Sequence, residues 1–290
     1  MPAAKITAET LTRRILQSAS ADVDATEAAA LRDEPDAVHQ HRTRVRRLRS
    51  VLAAVRRVGD RADTDELRSA LREWGTVLGE ARDAEVRAER AEAALAECGI
   101  DDADARRRLV GDERAAYRHR HAEVVEAHGS PASLRRVQLV RESGLRLSLD
   151  EPDAKAAKVA RRMLRREIDR VRKAARRVDG SLARHHALRK AARRLRHLAE
   201  AVEAAAPEVL GDRLHALAKA SKRVHKLLGE HRDDELLLAR LTEVRARAFG
   251  AQEETAPYDA LVAAVRERAD RELKRLPRAM KKLRKAADRI

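Results

Sequence analysis

The chain has one cysteine, Cys98, among 290 residues, and four aromatic residues in all. A single thiol excludes an intramolecular disulfide and a thiolate metal cluster. So few rings leave no platform on which the bases of single-stranded nucleic acid could stack. No run of about 20 apolar residues could cross a bilayer, and the N-terminus lacks the basic-then-apolar order of a signal peptide, so a soluble cytoplasmic protein with no membrane partner is expected. Also missing are a P-loop, a glycine-rich phosphate cradle, a nucleophile elbow and a carboxylate cluster arranged for Mg²⁺. A non-catalytic protein without a cofactor is the expectation.

What is present is charge and small aliphatic residues. Asp, Glu, Lys and Arg make up 39% of the chain, and the hydrophobic share is mainly Ala, Leu and Val. That balance suits helices with narrow Leu/Ala seams and charged outer faces. The formal net charge of +16 and a pI near 10.7 point to a polyanionic partner. Arg outnumbers Lys about four to one, and its planar fork matches phosphate oxygens. Such a ratio also follows from nucleotide bias, so the placement of the arginines carries more weight than their number.

Punctuation divides the chain into helices, with no strand signal. A first amphipathic helix covers roughly residues 7–31. Pro35 interrupts it, and Asp36 reads as the N-cap of a second helix over about 37–58 that stops at Gly59. Asp63 and Glu66 read as a capping box for a third helix to about Cys98, with a seam of Leu67, Leu71, Trp74 and Leu78. A fourth helix spans about 102–128, and a further piece follows Gly129-Ser130-Pro131. Asp150 to Asp153 is the most linker-like stretch. Beyond it Leu164, Ile168, Val171, Ala175 and Val178 form a seam of coiled-coil quality. Helices of about 182–206 and 212–249 follow, then one from Pro257 that Pro277 interrupts.

Two stretches repeat. His39, Arg42, Arg46, Arg47, Leu48 and Arg49 follow the pattern H-x-x-R-x-x-x-R-R-L-R, and His186, Arg189, Arg193, Arg194, Leu195 and Arg196 follow it again. Leu78-Gly79-Glu80-Ala81-Arg82-Asp83 is answered by Leu228-Gly229-Glu230-His231-Arg232-Asp233. Ser130-Pro131 onward likewise resembles Leu276-Pro277 onward. An internal duplication follows, with two repeats at about 7–149 and 154–290. The expected fold is all-α: two four-helix bundles related by approximate two-fold symmetry.

On a helix advancing about 100° per residue, His39, Arg42, Arg46 and Arg49 fall within roughly 80° of arc. Val45, Leu48, Leu52 and Val55 centre roughly 120° away, so the basic stripe borders the buried seam and would line a groove between helices. Arg47 and Arg194 point away from the stripe. Arg72 and Lys222, at equivalent places before each Leu-Gly, are further candidates. A competing reading pairs the arginines with Asp83, Glu85, Asp233 and Glu235 as simple helix clamps. His119-x-His121 and His185-His186 could suggest a metal, but no third or fourth ligand accompanies them; no metal site is expected.

Both motifs, twice and in the same order, resemble the CHAD family, the conserved histidine α-helical domain, over nearly the whole chain. The resemblance implies two four-helix bundles that bind long-chain inorganic polyphosphate in a basic central groove, with association with polyphosphate granules. Carried over by motif, the implied contacts are His39, Arg42, Arg46 and Arg49 with His186, Arg189, Arg193 and Arg196; Arg47 and Arg194 match as well. The chain departs from members that carry a CYTH triphosphatase domain, since it has no E-x-E-x-K signature, so a stand-alone binding module is implied. Backbone-only binding of nucleic acid is the alternative that the same charges allow.

Overall fold

The computed structural model describes residues 6–59, 61–145 and 148–290 and leaves the Asp63 side chain undescribed. It is all-α. The helices are α1 (Ala8–Leu31), α2 (Ala37–Val55), α3 (Ala62–Glu97), α4 (Ala103–Arg106), α5 (Asp112–His128), α6 (Pro131–Glu142), α7 (Ala156–Ala175), α8 (Leu182–Ala205), α9 (Asp212–Gly250), α10 (Ala256–Lys274) and α11 (Leu276–Ala287). A π-helical turn, Arg107–Gly111, joins α4 to α5, so the expected continuous fourth helix carries an extra-wide turn. Arg108 of that turn is held by Glu253. Among the described residues the only bridges are Thr7 with Lys155 and Gly59 with Leu149.

Local chemistry sets most of the boundaries. Thr7 and Ser130 accept from the backbone N–H groups of Thr10 and Ser133, capping α1 and α6. Pro131 and Pro277 stand in the first turns of α6 and α11, where a missing N–H costs nothing. Two expectations need correction. Asp36 does precede α2, but its backbone is left-handed (φ 59°) and its side chain caps nothing. The helix α2 stops at Val55, and Gly59 is no C-cap: it pairs with Leu149, and a Cβ there would lie 2.3 Å from the Ser148 carbonyl oxygen. Of the expected capping box at α3, the Glu66 carboxylate receives Arg135 of α6 at 2.8 Å, and the Asp63 side chain lies outside the described residues.

Packing follows the same order in each half of the chain. Helix α2 lies between α1 and α3, and α3 also meets α5 and α6; α8 lies between α7 and α9, and α9 also meets α10 and α11. The two central helices, α2 and α8, pack against each other. Two apolar clusters fill the interior, and each draws on both halves. The larger joins α1, α2, α6, α7, α8 and α11 to the first parts of α3 and α9. The smaller joins the far parts of α3 and α9 to α10 and the α4–α5 junction. The core is therefore not divided at residues 150–153. That link is also tied down, since Ala8 and Glu9 donate to the carbonyls of Ala154 and Pro152, and Asp150 donates to that of Val58.

Candidate anion-binding groove

Helices α2 and α8 each bury more than one face. Val45, Leu48, Leu52 and Val55 are almost wholly hidden, as their spacing requires, but Val51, Ala54, Ala201 and Val202 are hidden too. Small residues on this second face let α2 and α8 approach closely. At their contact Ser50 Oγ meets His197 Nδ1 at 3.2 Å, and these positions lie 147 residues apart. Arg46 and Arg193, with the same separation, stand together beside this contact. The two basic rows consequently line one groove.

That groove has two lobes. A cavity of about 400 Å³ is lined by His39, Arg42, Arg46 and Arg49 of α2, by His186, Arg189, Lys190 and Arg193 of α8, and by residues of α3 and α9. Ten Lys and Arg side chains face three carboxylates there, Asp83, Glu89 and Asp233, so the lobe is strongly positive. A second cavity of about 340 Å³ shares Arg46, Arg49 and Arg193 with the first and adds Arg68, Arg72 and Arg194 against Asp65 alone.

The helical glycines explain how guanidinium groups fit so close to neighbouring backbone. Arg42 donates to the Gly79 carbonyl at 3.3 Å and to Asp83 at 3.0 Å. A Cβ on Gly79 would come within 3.0 Å of Arg42 Nη2, and one on Gly229 within 3.3 Å of Arg189 Nε. The Leu-Gly pairs are thus seats for Arg42 and Arg189.

Arg46, Arg49, Arg189 and Arg193 have no carboxylate within ion-pair distance among the described residues. The Nε groups of Arg42, Arg189 and Arg193 are buried without a hydrogen-bond partner. Burial, then the charges of Arg193, Arg42 and Arg189, pull Arg46 down to about 8. Burial, then Arg189 and Arg42, pull Arg193 down to about 9. Both groups stay cationic at pH 7, so the groove holds repelling charges that are partly stripped of water. An anion with several negative charges would relieve them. Simple helix clamping accounts for Arg42, but not for these four.

The remaining candidates are placed as follows. Arg47 leaves the groove for Asp22 of α1 at 3.2 Å. Arg194 bonds Glu167 of α7 at 2.7 Å while lining the second lobe, which Arg72 also lines. Arg196, placed in the row by its motif, instead bonds Glu200 at 2.6 Å and lines neither lobe. Its counterpart Arg49 has Ala53 where Arg196 has Glu200, which is why only Arg49 faces the cavity. Lys222 is exposed on α9, also outside both lobes. His39 and His186 line the first lobe; burial lowers both, His186 to about 4 with Arg232 and Lys190 adding to the effect. The other paired histidines lead elsewhere. His121 meets the Ala30 carbonyl at 2.8 Å, and His185 stands edge-on to His231.

The reading from the motifs missed Arg68, Arg82, Arg87, Arg90 and Arg232 as groove residues. The repeated Arg-Asp after each Leu-Gly did mark Arg82 and Arg232. The others carry no signal beyond their position on α3.

The CHAD domain sequence model matches residues 14–242. The chain belongs to the CHAD family. Two curated relatives, both uncharacterized proteins of Mycobacterium tuberculosis (strains CDC 1551 / Oshkosh and ATCC 25618 / H37Rv), are 29% identical over 266 residues, covering 88% of this chain and 49% of theirs. The chain thus spans about half the length of these relatives. The fold matches the crystal structure of the CHAD domain from the plant Ricinus communis, at TM-score 0.67 and 22% identity over 99% of this chain and 93% of that one. It also matches PptA from Streptomyces chartreusis, at TM-score 0.68 and 17% identity over 97% of this chain and 99% of that one. At these identities the likeness speaks for the CHAD fold. Among the described residues no helix is long and apolar enough to cross a membrane.

Proposed function

We propose that this CHAD protein binds long-chain inorganic polyphosphate in the two-lobed groove, without catalysis, and in that way associates with polyphosphate granules. The observation that carries the reading is the set of four half-buried arginines, Arg46, Arg49, Arg189 and Arg193, that face one cavity and have no carboxylate partner among the described residues. Burying an ion costs several kcal/mol unless opposite charge compensates it. A flexible chain with a charge on each unit can thread between the rows and meet guanidinium groups from both walls. His39, Arg42, Arg72, Arg194 and His186 would complete its contacts, whereas Arg47, Arg196 and Lys222 lie outside its path.

The same reading holds that the halves, 7–149 and 154–290, are repeats of one four-helix unit about a pseudo-two-fold axis. Support comes from the matching order of helix packing, from the paired glycine seats of Arg42 and Arg189, and from the meeting of Ser50 with His197.

The test is a titration with polyphosphate of graded length at several salt concentrations. Long chains should bind far more tightly than tripolyphosphate at equal phosphate concentration, and affinity should fall steeply with salt through counterion release. Equal affinity for short and long chains would rule out a continuous groove. Duplex DNA that competes on equal terms with polyphosphate would favour general backbone binding instead.

A further inference from the structure

One bundle seam holds a narrow cavity whose apolar walls are mostly recessed, Ile168, Val171, Leu276 and Leu283 being at most 9% exposed. In the first half α1 and α6 close on each other, joined by Ser20 with Ser143 at 2.6 Å and by Asp24 with Arg141 at 3.4 Å. Their counterparts α7 and α11 are tied through Arg172–Asp288 at 2.8 Å and by Arg165 to the Ile290 carbonyl. Beyond that tie they part, and a cavity of about 540 Å³ opens over Leu188 and Leu195 of α8.

Both walls of this slot carry apolar residues at heptad spacing. On α7 and just past its end these are Ile168, Val171, Ala175 and Val178; on α11 they are Leu276, Met280, Leu283 and Ala287. Each row runs about 15 Å along its helix. Such 3-4 spacing forms holes that accept side chains from a further helix. The cations are set on both edges: Arg172 and Arg176 beside α7, Arg284 on α11. Among the described residues Arg176 and Arg284 have no ion pair. A single acyl chain with one acidic head would need cations gathered at one end. Cations on both edges instead match a helix with acidic residues on either side of an apolar stripe.

We infer that the α7–α8–α11 slot docks an amphipathic helix of a partner protein, with Leu-type residues on its seam and Asp or Glu on both flanks. The cavity is smaller than a helix, so the partner inserts its side chains and keeps its backbone outside, the usual helix-in-groove mode. This site lies on the side of α8 away from Arg189 and Arg193 and is independent of polyphosphate binding.

The experiment uses fluorescence anisotropy on the full chain with labelled helical peptides of about three heptads. One carries Leu on the seam and Glu on the flanks; the control keeps every Glu and replaces Leu with Ser. Both peptides feel the central groove equally, so only the slot separates them. The Leu/Glu peptide should bind at least tenfold more tightly than the control. Arg176→Glu with Arg284→Glu, and separately Ala175→Trp, which fills the slot, should each remove most of that difference. Equal binding of the two peptides by the unmodified protein would overturn the proposal without any variant. So would preferential binding that both variants leave intact, or a slot that takes labelled palmitate and refuses the peptide.

Discussion

Arg46 and Arg193 concentrate the electrostatics of the molecule. Each is depressed by burial and by the other arginines, so the groove is a site of repulsion that folding must sustain. Replacing both with Gln should raise the thermal midpoint while lowering polyphosphate affinity at least tenfold. A fall in both quantities would show that these residues hold the fold together. Glu200 supplies the opposite case, because it takes Arg196 out of the row. Glu200→Ala should free that guanidinium and tighten polyphosphate binding by a few-fold, in keeping with the modest worth of a half-exposed pair; unchanged affinity would mean that Arg196 cannot reach the chain. His186, lowered to about 4 by burial and the cations around it, is neutral at pH 7. A bound polyanion raises it, so protons are taken up on binding and affinity should climb as pH falls from 7 towards 5. The climb should shrink in His39→Gln with His186→Gln, and a flat pH profile in the unmodified protein would remove the histidines from the site.

At the scale of helices, glycine acts where a helix surface must be bare. Gly79 lies inside α3, so Gly79→Ala should gain up to about 1 kcal/mol in helix propensity. It should also push Arg42 from its seat and weaken polyphosphate binding. Denaturant unfolding beside a binding titration reads both effects, and tighter binding together with higher stability would refute the seat. The helices themselves were largely legible. Leu67, Leu71, Trp74 and Leu78 are buried as their spacing demands, and Gly and Pro mark most boundaries to within a few residues. The second buried face of α2 was not legible. Ala54 and Ser50 look like surface fillers until α8 crosses them, because small residues carry no periodic signal of their own. The groove was half legible for the same reason: its two rows are written as a motif, while Arg68, Arg87 and Arg90 join it only through the angle at which α3 passes. Arg196 shows the converse, a motif residue drawn off by an acid one turn later.

For the molecule as a whole, buried histidines tie stability to pH. Burial lowers His41 to about 3 and holds His197 and His225 well below their ordinary value. All three are neutral in the folded chain at pH values where the unfolded chain, with ordinary values near 6.5, already binds protons. The unfolded state therefore takes up more protons as pH falls, and the thermal midpoint should drop between pH 7 and pH 5. A constant midpoint over that window would show that these rings find compensating partners on protonation.

The two apolar clusters, each shared between the halves, also bear on how the chain matures. As the ribosome releases the first half, Ala54 of α2 still lacks α8, and the far part of α3, which meets the α4–α5 junction, still lacks its partners on α9 and α10. Thr7 likewise waits for Lys155, nearly 150 residues later in synthesis. A chain truncated after the link should therefore expose apolar surface that the second half covers in the full chain.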